Sequence, residues 1–238
     1  MSSLPERPHP HLQRTHHVHS FAELLSTPFV NGVNALCWPR ALAGDFAEVV
    51  AQLGAGEGIV PLDEARLLAL RVSPAGRVAI DQMLADLRLL RDHDLDPALN
   101  LIHGYPRDEE PGPVATDVFS FHADSAPVRA DTWLCTYHGA PSEGLRNEDA
   151  QRRFDIPETR AALLEIYGGP DDAGFREFLN EHCYDLHYAA LPHAQPYSFG
   201  RFNLWRIATD HPGSPVPPCI HRAPATGPDD PPRLLLIS

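Results

Sequence analysis

The sequence of 238 residues lacks long apolar runs, an excess of basic charge and the apolar core of a signal peptide. No apolar run approaches the roughly 20 residues that cross a bilayer. The formal net charge is −13, whereas nonspecific nucleic-acid binding and anionic membranes both depend on Lys and Arg. These absences predict a cytoplasmic protein that binds neither nucleic acid nor a membrane.

Several common catalytic and binding motifs are also missing. The four cysteines form no C-x-x-C pair and lie far apart, which disfavours a disulfide framework or a zinc ribbon and favours reduced, buried thiols. There is no G-x-S-x-G elbow, no Walker loop and no G-x-G-x-x-G fingerprint. A serine hydrolase, a P-loop nucleotidase and a Rossmann dinucleotide site are therefore disfavoured.

What the chain does have is a hydrophobic content of 43%, enough for one core, and 25 prolines between short apolar runs. Apolar residues at helical spacing predict helices in the first half, the clearest within residues 75–93, and a short helix capped by Ser20 with Glu23. From residue 116 the pattern changes to short strands with irregular loops. We expect an α+β fold with an N-terminal helical part, in which the short strands form a jelly roll or a sandwich rather than a parallel sheet.

The predicted domain organisation is simple. Residues 1–20 carry five histidines and predict a flexible tail able to hold metal loosely. Residues 21–238 predict a single jelly-roll domain. Residues 146–183 return to a helical pattern, which predicts a helical insertion or lid within that domain.

A candidate metal site begins in "FSFHAD", where His122 and Asp124 are separated by one residue. Side chains at i and i+2 of a strand point to the same face, so imidazole and carboxylate can enter one cavity. The third ligand is predicted to be His221, in a short strand near the C-terminus. Two His and one carboxylate with open positions are the ligand set of non-haem Fe(II) oxygenases.

Arg233 follows His221 by twelve residues and opens the last apolar strand. A guanidinium holds a carboxylate in a bidentate pair. A 2-oxo acid with a second carboxylate needs one end on the metal and its distal carboxylate on a cation. The arrangement therefore predicts Fe(II) at His122, Asp124 and His221, with Arg233 as the cation for the distal carboxylate of a 2-oxo acid.

Three stretches carry a family resemblance: "VNALCWPRAL" at 33–42, "FHADSAPVRADTWLCTYHGAPSEGL" at 121–145 and "IHRAPATGPDDPPRLLLIS" at 220–238. The chain resembles the Fe(II)/2-oxoglutarate-dependent dioxygenase superfamily and, more closely, a bacterial family known as domain of unknown function 1826. The resemblance implies the double-stranded β-helix, the same three metal ligands and Arg233 as the carboxylate anchor. It further implies that Tyr137 supplies a hydroxyl to that carboxylate, and it points to metal homeostasis as one biological setting.

Two other functions stay open at this point. The same ligands, or the N-terminal histidines, can hold zinc in a metal-homeostasis protein without redox chemistry. A third reading is a structural jelly roll without chemistry, because fold alone does not define function. The substrate is equally open between a small molecule, an amino acid and a peptide. The remaining histidines, among them His187 and His193, are expected to be structural or exposed.

Overall fold

The computed structural model describes residues 14–107, 112–227 and 230–238. The six α-helices of these residues are α1 (Phe21–Ser26), α2 (Phe46–Leu53), α3 (Glu64–Leu68), α4 (Pro74–Arg91), α5 (Pro157–Tyr167) and α6 (Ala173–Glu181). Their thirteen strands are β1 (Thr15–His17), β2 (Ala35–Trp38), β3 (Ile59–Leu62), β4 (Ala98–Ile102), β5 (Phe121–His122), β6 (Asp131–His138), β7 (Glu143–Leu145), β8 (Ala150–Arg152), β9 (His187–Ala190), β10 (Tyr197–Ser198), β11 (Leu204–Ala208), β12 (Ile220–Arg222) and β13 (Arg233–Ile237).

The strands form two sheets. One has seven strands in the order β1-β2-β11-β6-β13-β4-β3, and the other has six in the order β10-β7-β12-β5-β9-β8. Every pairing is antiparallel except that of β1 with β2. The coarse prediction of a mixed fold rich in antiparallel strands is therefore confirmed.

From β4 to β7 and again from β10 to β13, each strand lies in the other sheet from the strand before it. The chain passes from β4 in the larger sheet to β5 in the smaller, then to β6 and to β7, and the last three strands alternate in the same way. Early strands pair with late ones in a nested order: β4 with β13, β5 with β12 and β6 with β11. Residues far apart in sequence are thereby brought to one space between the sheets.

The N-terminal helices pack on the outer face of the larger sheet. Ser20 caps α1 by accepting from the Glu23 amide, as the sequence predicts. In α4, Ser73 is the N-cap and Pro74 occupies the first turn, where its missing N–H costs nothing. The apolar face of α4, with Ile80, Met83 and Leu87 all buried, packs in the largest hydrophobic cluster together with residues of β4, β6 and β13.

The predicted tail needs a correction. Residues 1–13 lie outside the described residues, but Thr15–His17 form β1, a strand that pairs in parallel with β2. Because backbone hydrogen bonds tie this segment to the sheet, residues 15–17 do not belong to a flexible tail as predicted. Residues 146–183 contain α5 and α6, joined to the smaller sheet through β8. No helix of the described residues is long and apolar enough to cross a bilayer.

Candidate metal and anion site

A cavity of about 240 Å³ lies between the two sheets. The larger sheet supplies mostly apolar side chains to its wall, and the smaller sheet supplies the two histidines. The residues that line it are Ile59, Asn100, Ile102, Tyr105, Val118, His122, Asp124, Thr132, Leu134, Ser142, His221, Ala223, Arg233, Leu235 and Ile237. All three predicted metal ligands and the predicted anchor Arg233 therefore face one space.

The ligands converge because of strand register. His122 and His221 are directly paired across β5 and β12, and their ring centroids are 4.6 Å apart. Asp124 lies just after β5 and faces the same cavity as His122, as the i, i+2 spacing predicts. Its carboxylate oxygens lie 3.9 Å from His122 Nε2 and 3.7 Å from His221 Nε2.

Both imidazoles are oriented by the backbone. His122 Nδ1 lies 2.8 Å from the Ser120 carbonyl oxygen, and His221 Nδ1 lies 3.4 Å from that of Cys219. A carbonyl can only accept, so each contact holds the proton on Nδ1 and leaves the Nε2 lone pair directed at Asp124. This backbone contact is the usual way in which a metal-ligating histidine is fixed in one tautomer.

The protonation states suit metal binding. Burial and the neighbouring His221 lower the pKa of His122, which favours neutral imidazole. Burial raises the pKa of Asp124, but His221, the Thr132 hydroxyl and His122 together outweigh burial and lower that pKa below its usual value. The Thr132 hydroxyl donates to Asp124 Oδ2 at 2.5 Å. Neutral imidazole and ionised carboxylate are the forms that coordinate divalent ions, so the pKa shifts of His122 and Asp124 both favour metal binding.

The spacing of the donors fits one ion. His122, Asp124 and His221 each offer one ligand atom, and these atoms lie within 4.8 Å of one another. An ion bound at about 2.1 Å to each donor separates neighbouring donors by roughly 3 Å, so a small inward movement of the side chains completes the site. Only three protein ligands converge among the described residues, which is the number typical of a catalytic site with open positions.

Arg233 is the second charged centre of the cavity and is only 2% exposed. Its guanidinium donates to the Ala140 carbonyl at 2.8 Å, to the Tyr105 hydroxyl at 2.5 Å and to Ser142 Oγ at 3.0 Å. These three contacts use three of the five N–H groups of the side chain. All the partners are neutral, so they orient the cation without compensating its charge.

No carboxylate of residues 14–107, 112–227 and 230–238 forms an ion pair with Arg233. Burial lowers the pKa of Arg233, and the nearby Tyr105 only partly opposes that shift. A guanidinium remains protonated at physiological pH even so. A buried charge without a counter-ion is costly, and an anionic ligand in the cavity would remove that cost.

The predicted role of Tyr137 is wrong. Tyr137 lies on the opposite face of β6 from the cavity, in the main hydrophobic cluster, and its hydroxyl donates to Asp86 Oδ2 at 2.6 Å. Thr132 and Leu134, which alternate with it along the strand, line the cavity instead. The tyrosine hydroxyl that accepts from Arg233 belongs to Tyr105, in the segment after β4.

The structure adds residues that the sequence did not indicate. Tyr105, Ser142 and Thr132 support Arg233 or Asp124, yet two of them lie outside the strands and none belongs to a spaced motif. His187, expected to be structural, is in register with His122 on β9, with ring centroids 5.7 Å apart. The only sequence signal for it was its place in an apolar strand.

Arg222 follows the ligand His221 and faces the other way, as strand alternation predicts. It pairs with Glu143 at 2.7 Å. His193 lies 3.4 Å from Asp149 and is largely exposed, so it takes no part in the cavity.

Comparisons with protein-family models, with curated proteins and with solved structures found no match. The inference of function therefore depends on the residues of this site.

Proposed function

We propose that this chain is a non-haem Fe(II)/2-oxoglutarate-dependent oxygenase with a double-stranded β-helix fold. His122, Asp124 and His221 would hold the iron, and Arg233 would bind the distal carboxylate of 2-oxoglutarate. The observation that carries the proposal is a buried guanidinium that pairs with no carboxylate of the described residues, in the same cavity as a two-His, one-carboxylate cluster. The resemblance to domain of unknown function 1826 and to the dioxygenase superfamily is part of the same proposal.

The strand pairing supports the finer fold assignment. A double-stranded β-helix is a long antiparallel ribbon wound so that successive strand pairs alternate between two sheets. The nested pairs β4·β13, β5·β12 and β6·β11 alternate in that way, in the larger, smaller and larger sheet. The segment 146–196, with α5 and α6, lies between β7 and β10, where the ribbon turns back.

Each residue of the site would have a physical task. The Ser120 and Cys219 carbonyls fix the two imidazoles, and Thr132 fixes the carboxylate, so the ligands are ordered before any ion binds. Tyr105 and Ser142 hold the guanidinium of Arg233 in place for a carboxylate. Iron(II) and 2-oxoglutarate together supply O2 activation coupled to oxidative decarboxylation. The apolar walls exclude water from the reacting atoms.

A zinc-binding, metal-homeostasis function uses the same three ligands, since zinc accepts imidazole and carboxylate. The compact donor cluster is equally compatible with that function. The two functions differ at Arg233, because a zinc carrier has no use for a buried cation without a counter-ion. The position and burial of Arg233 favour the oxygenase.

An anaerobic titration tests the proposal. Metal-free protein is mixed with Fe(II) and then with 2-oxoglutarate, and the visible metal-to-ligand charge-transfer band is followed. We expect the band to form in the wild type and to be lost in His122→Ala, which lacks an iron ligand. We expect Arg233→Met to bind Fe(II) normally but to need at least about a hundredfold more 2-oxoglutarate, as the loss of charged hydrogen bonds predicts.

Arg222→Met is the matched control, because it removes a cation beside the site that is already paired with Glu143. It should leave both affinities unchanged. Fe(II) binding without a band in the wild type would overturn the 2-oxoglutarate assignment and favour the zinc function.

A further inference from the structure

The cavity wall contains one polar side chain that the proposed chemistry does not use. Asn100 lies on β4, is half-buried and faces the cavity. The other polar side chains of the wall are metal ligands or hydrogen-bond to Asp124 or Arg233. Asn100 makes no side-chain hydrogen bond to any residue of the described ranges, although it carries two N–H donors and a carbonyl acceptor.

The position of Asn100 separates it from the anion anchor. Asn100 pairs with Leu235 on β13, two residues from Arg233 along that strand. On its other side lies β3, the edge strand of the larger sheet. Asn100 therefore stands between the strand of the anchor and the edge strand of the sheet.

The wall around Asn100 is aliphatic and partly open. Ile59 and Ile237 line the cavity and are 46% and 38% exposed, so they form an apolar lip. Leu235 and Ile102 continue the apolar surface inward. A cavity of about 240 Å³ has the liquid volume of roughly eight water molecules. A bound 2-oxoglutarate of ten non-hydrogen atoms would take up most of that space, so a substrate would enter over the lip.

The charge of the cavity selects against ionic substrates. Among the described residues that line the cavity, Arg233 is the only Lys or Arg, and the proposed cosubstrate carboxylate neutralises it. Asp124 is committed to the metal. A further unpaired charge in this apolar wall would pay a desolvation cost without a partner, while a neutral amide or hydroxyl can pair with the Asn100 carboxamide.

We infer that Asn100 determines specificity, and that the substrate is a neutral molecule or segment with an amide or hydroxyl group joined to an aliphatic chain. The carboxamide binds the polar group, and the lip of Ile59 and Ile237 covers the chain. The inference rests on the proposed function for the location of the cosubstrate, and it adds the class of substrate.

The test uses full-length protein loaded with diamagnetic Zn(II) and 2-oxoglutarate, and reads the side-chain amide resonances by NMR. The Asn100 signal is assigned by its loss in Asn100→Leu. Three probes share one aliphatic chain: isocaproamide is neutral, isocaproate is anionic and isohexylamine is cationic. We expect isocaproamide to shift the Asn100 signal and to bind about tenfold more tightly than either charged probe.

In Asn100→Leu we expect isocaproamide to lose that tenfold preference, while 2-oxoglutarate binds as in the wild type. Asn180→Leu makes the same chemical change on exposed α6 and should keep the preference. The inference is overturned if a charged probe binds as well as the amide, or if no probe of the series shifts the Asn100 signal at millimolar concentration.

The cosubstrate must be separated from the substrate in this experiment. If 2-oxoglutarate alone shifts the Asn100 signal and binds about tenfold more weakly to Asn100→Leu, Asn100 belongs to the cosubstrate site and the inference fails. If 2-oxoglutarate does not bind the wild type at all, the proposed function fails instead. The probe series on Zn(II)-loaded protein then still decides whether Asn100 prefers a neutral group.

Discussion

Arg40 and Arg233 are two arginines held on opposite faces of the same sheet, and they are satisfied in different ways. Arg40 lies on the helix-covered face, where its guanidinium pairs with Asp86 at 2.6 Å and donates to the Phe202 carbonyl. Burial lowers the pKa of Arg40, but the hydrogen bond to Asp86 and the attraction of Cys135, Asp86 and Tyr137 together outweigh burial, and the pKa is raised. Arg233 lies on the cavity face with neutral partners alone among the described residues, and its pKa is lowered.

The difference in partners distinguishes an arginine with a structural role from one that can bind a ligand. The Arg40–Asp86 pair is closed: Tyr137 donates to the second carboxylate oxygen, and the Cys135 thiol lies 3.3 Å from the guanidinium. The two side chains are only 7% and 8% exposed, and their charges compensate each other. Arg233 has hydrogen bonds that orient it and a cavity in front of it. Burial alone thus does not mark a functional arginine, whereas burial without a counter-ion beside an open cavity does.

The largest effect on stability is expected when the closed Arg40–Asp86 pair is broken. Asp86→Ala leaves the buried Arg40 without its counter-ion and Tyr137 without its acceptor. We expect the free energy of unfolding to fall by about 3–5 kcal/mol, the usual cost of breaking a buried pair, measured by urea denaturation.

Asp81→Ala on the exposed face of the same helix is the control. It should change the free energy of unfolding by no more than about 0.5 kcal/mol. Equal effects of the two substitutions would show that the Arg40–Asp86 pair does not hold the helix to the sheet.

Short-range sequence patterns were sufficient for part of the site. His122 and Asp124 share a face because strand side chains alternate, and no tertiary information is needed for that step. Arg233 opens a strand of four consecutive apolar residues, which places it at a definite point of β13. Helix α4 and the Ser20 cap follow from apolar spacing and hydrogen-bonding chemistry in the same local way.

Such patterns could not predict which face of β6 carries the Tyr137 side chain. Strand β6 is buried on both faces from Thr132 to Tyr137, so no alternation of polar and apolar residues tells the cavity side from the helix side. A register irregularity in the pairing of β13 with β6, between Leu234 and Leu235, adds to the difficulty. Tyr105 and Ser142 reach Arg233 from segments outside the strands, and only the assembled sheets bring them there.

An intermediate effect is expected at the carboxylate of the metal site. Thr132→Val keeps the side-chain shape but removes the hydroxyl that donates to Asp124. We expect metal affinity to fall about tenfold, at the low end for loss of such a supporting contact, measured by competition with a chelator. Thr136→Val is the matched control on the same strand and face; no hydrogen bond ties its hydroxyl to the described residues. Equal affinities in the two variants would refute the role of Thr132.

The smallest effect on stability is expected for substitution of Arg233. Its size relative to that of Asp86→Ala makes the comparison of Arg233 with Arg40 quantitative. Arg233→Met removes three hydrogen bonds to neutral groups, but it also removes a desolvated charge and leaves no ion unpaired. We expect the free energy of unfolding to stay within about 1 kcal/mol of the wild type. A loss as large as that of Asp86→Ala would mean that Arg233, too, is a structural charge.

Ligand binding sharpens the distinction between the two arginines. In metal-loaded protein, 2-oxoglutarate at a hundred times its Kd should raise the free energy of unfolding of the wild type by about 2.7 kcal/mol. At that same concentration it should stabilise Arg233→Met much less, because the charge that binds the distal carboxylate is gone.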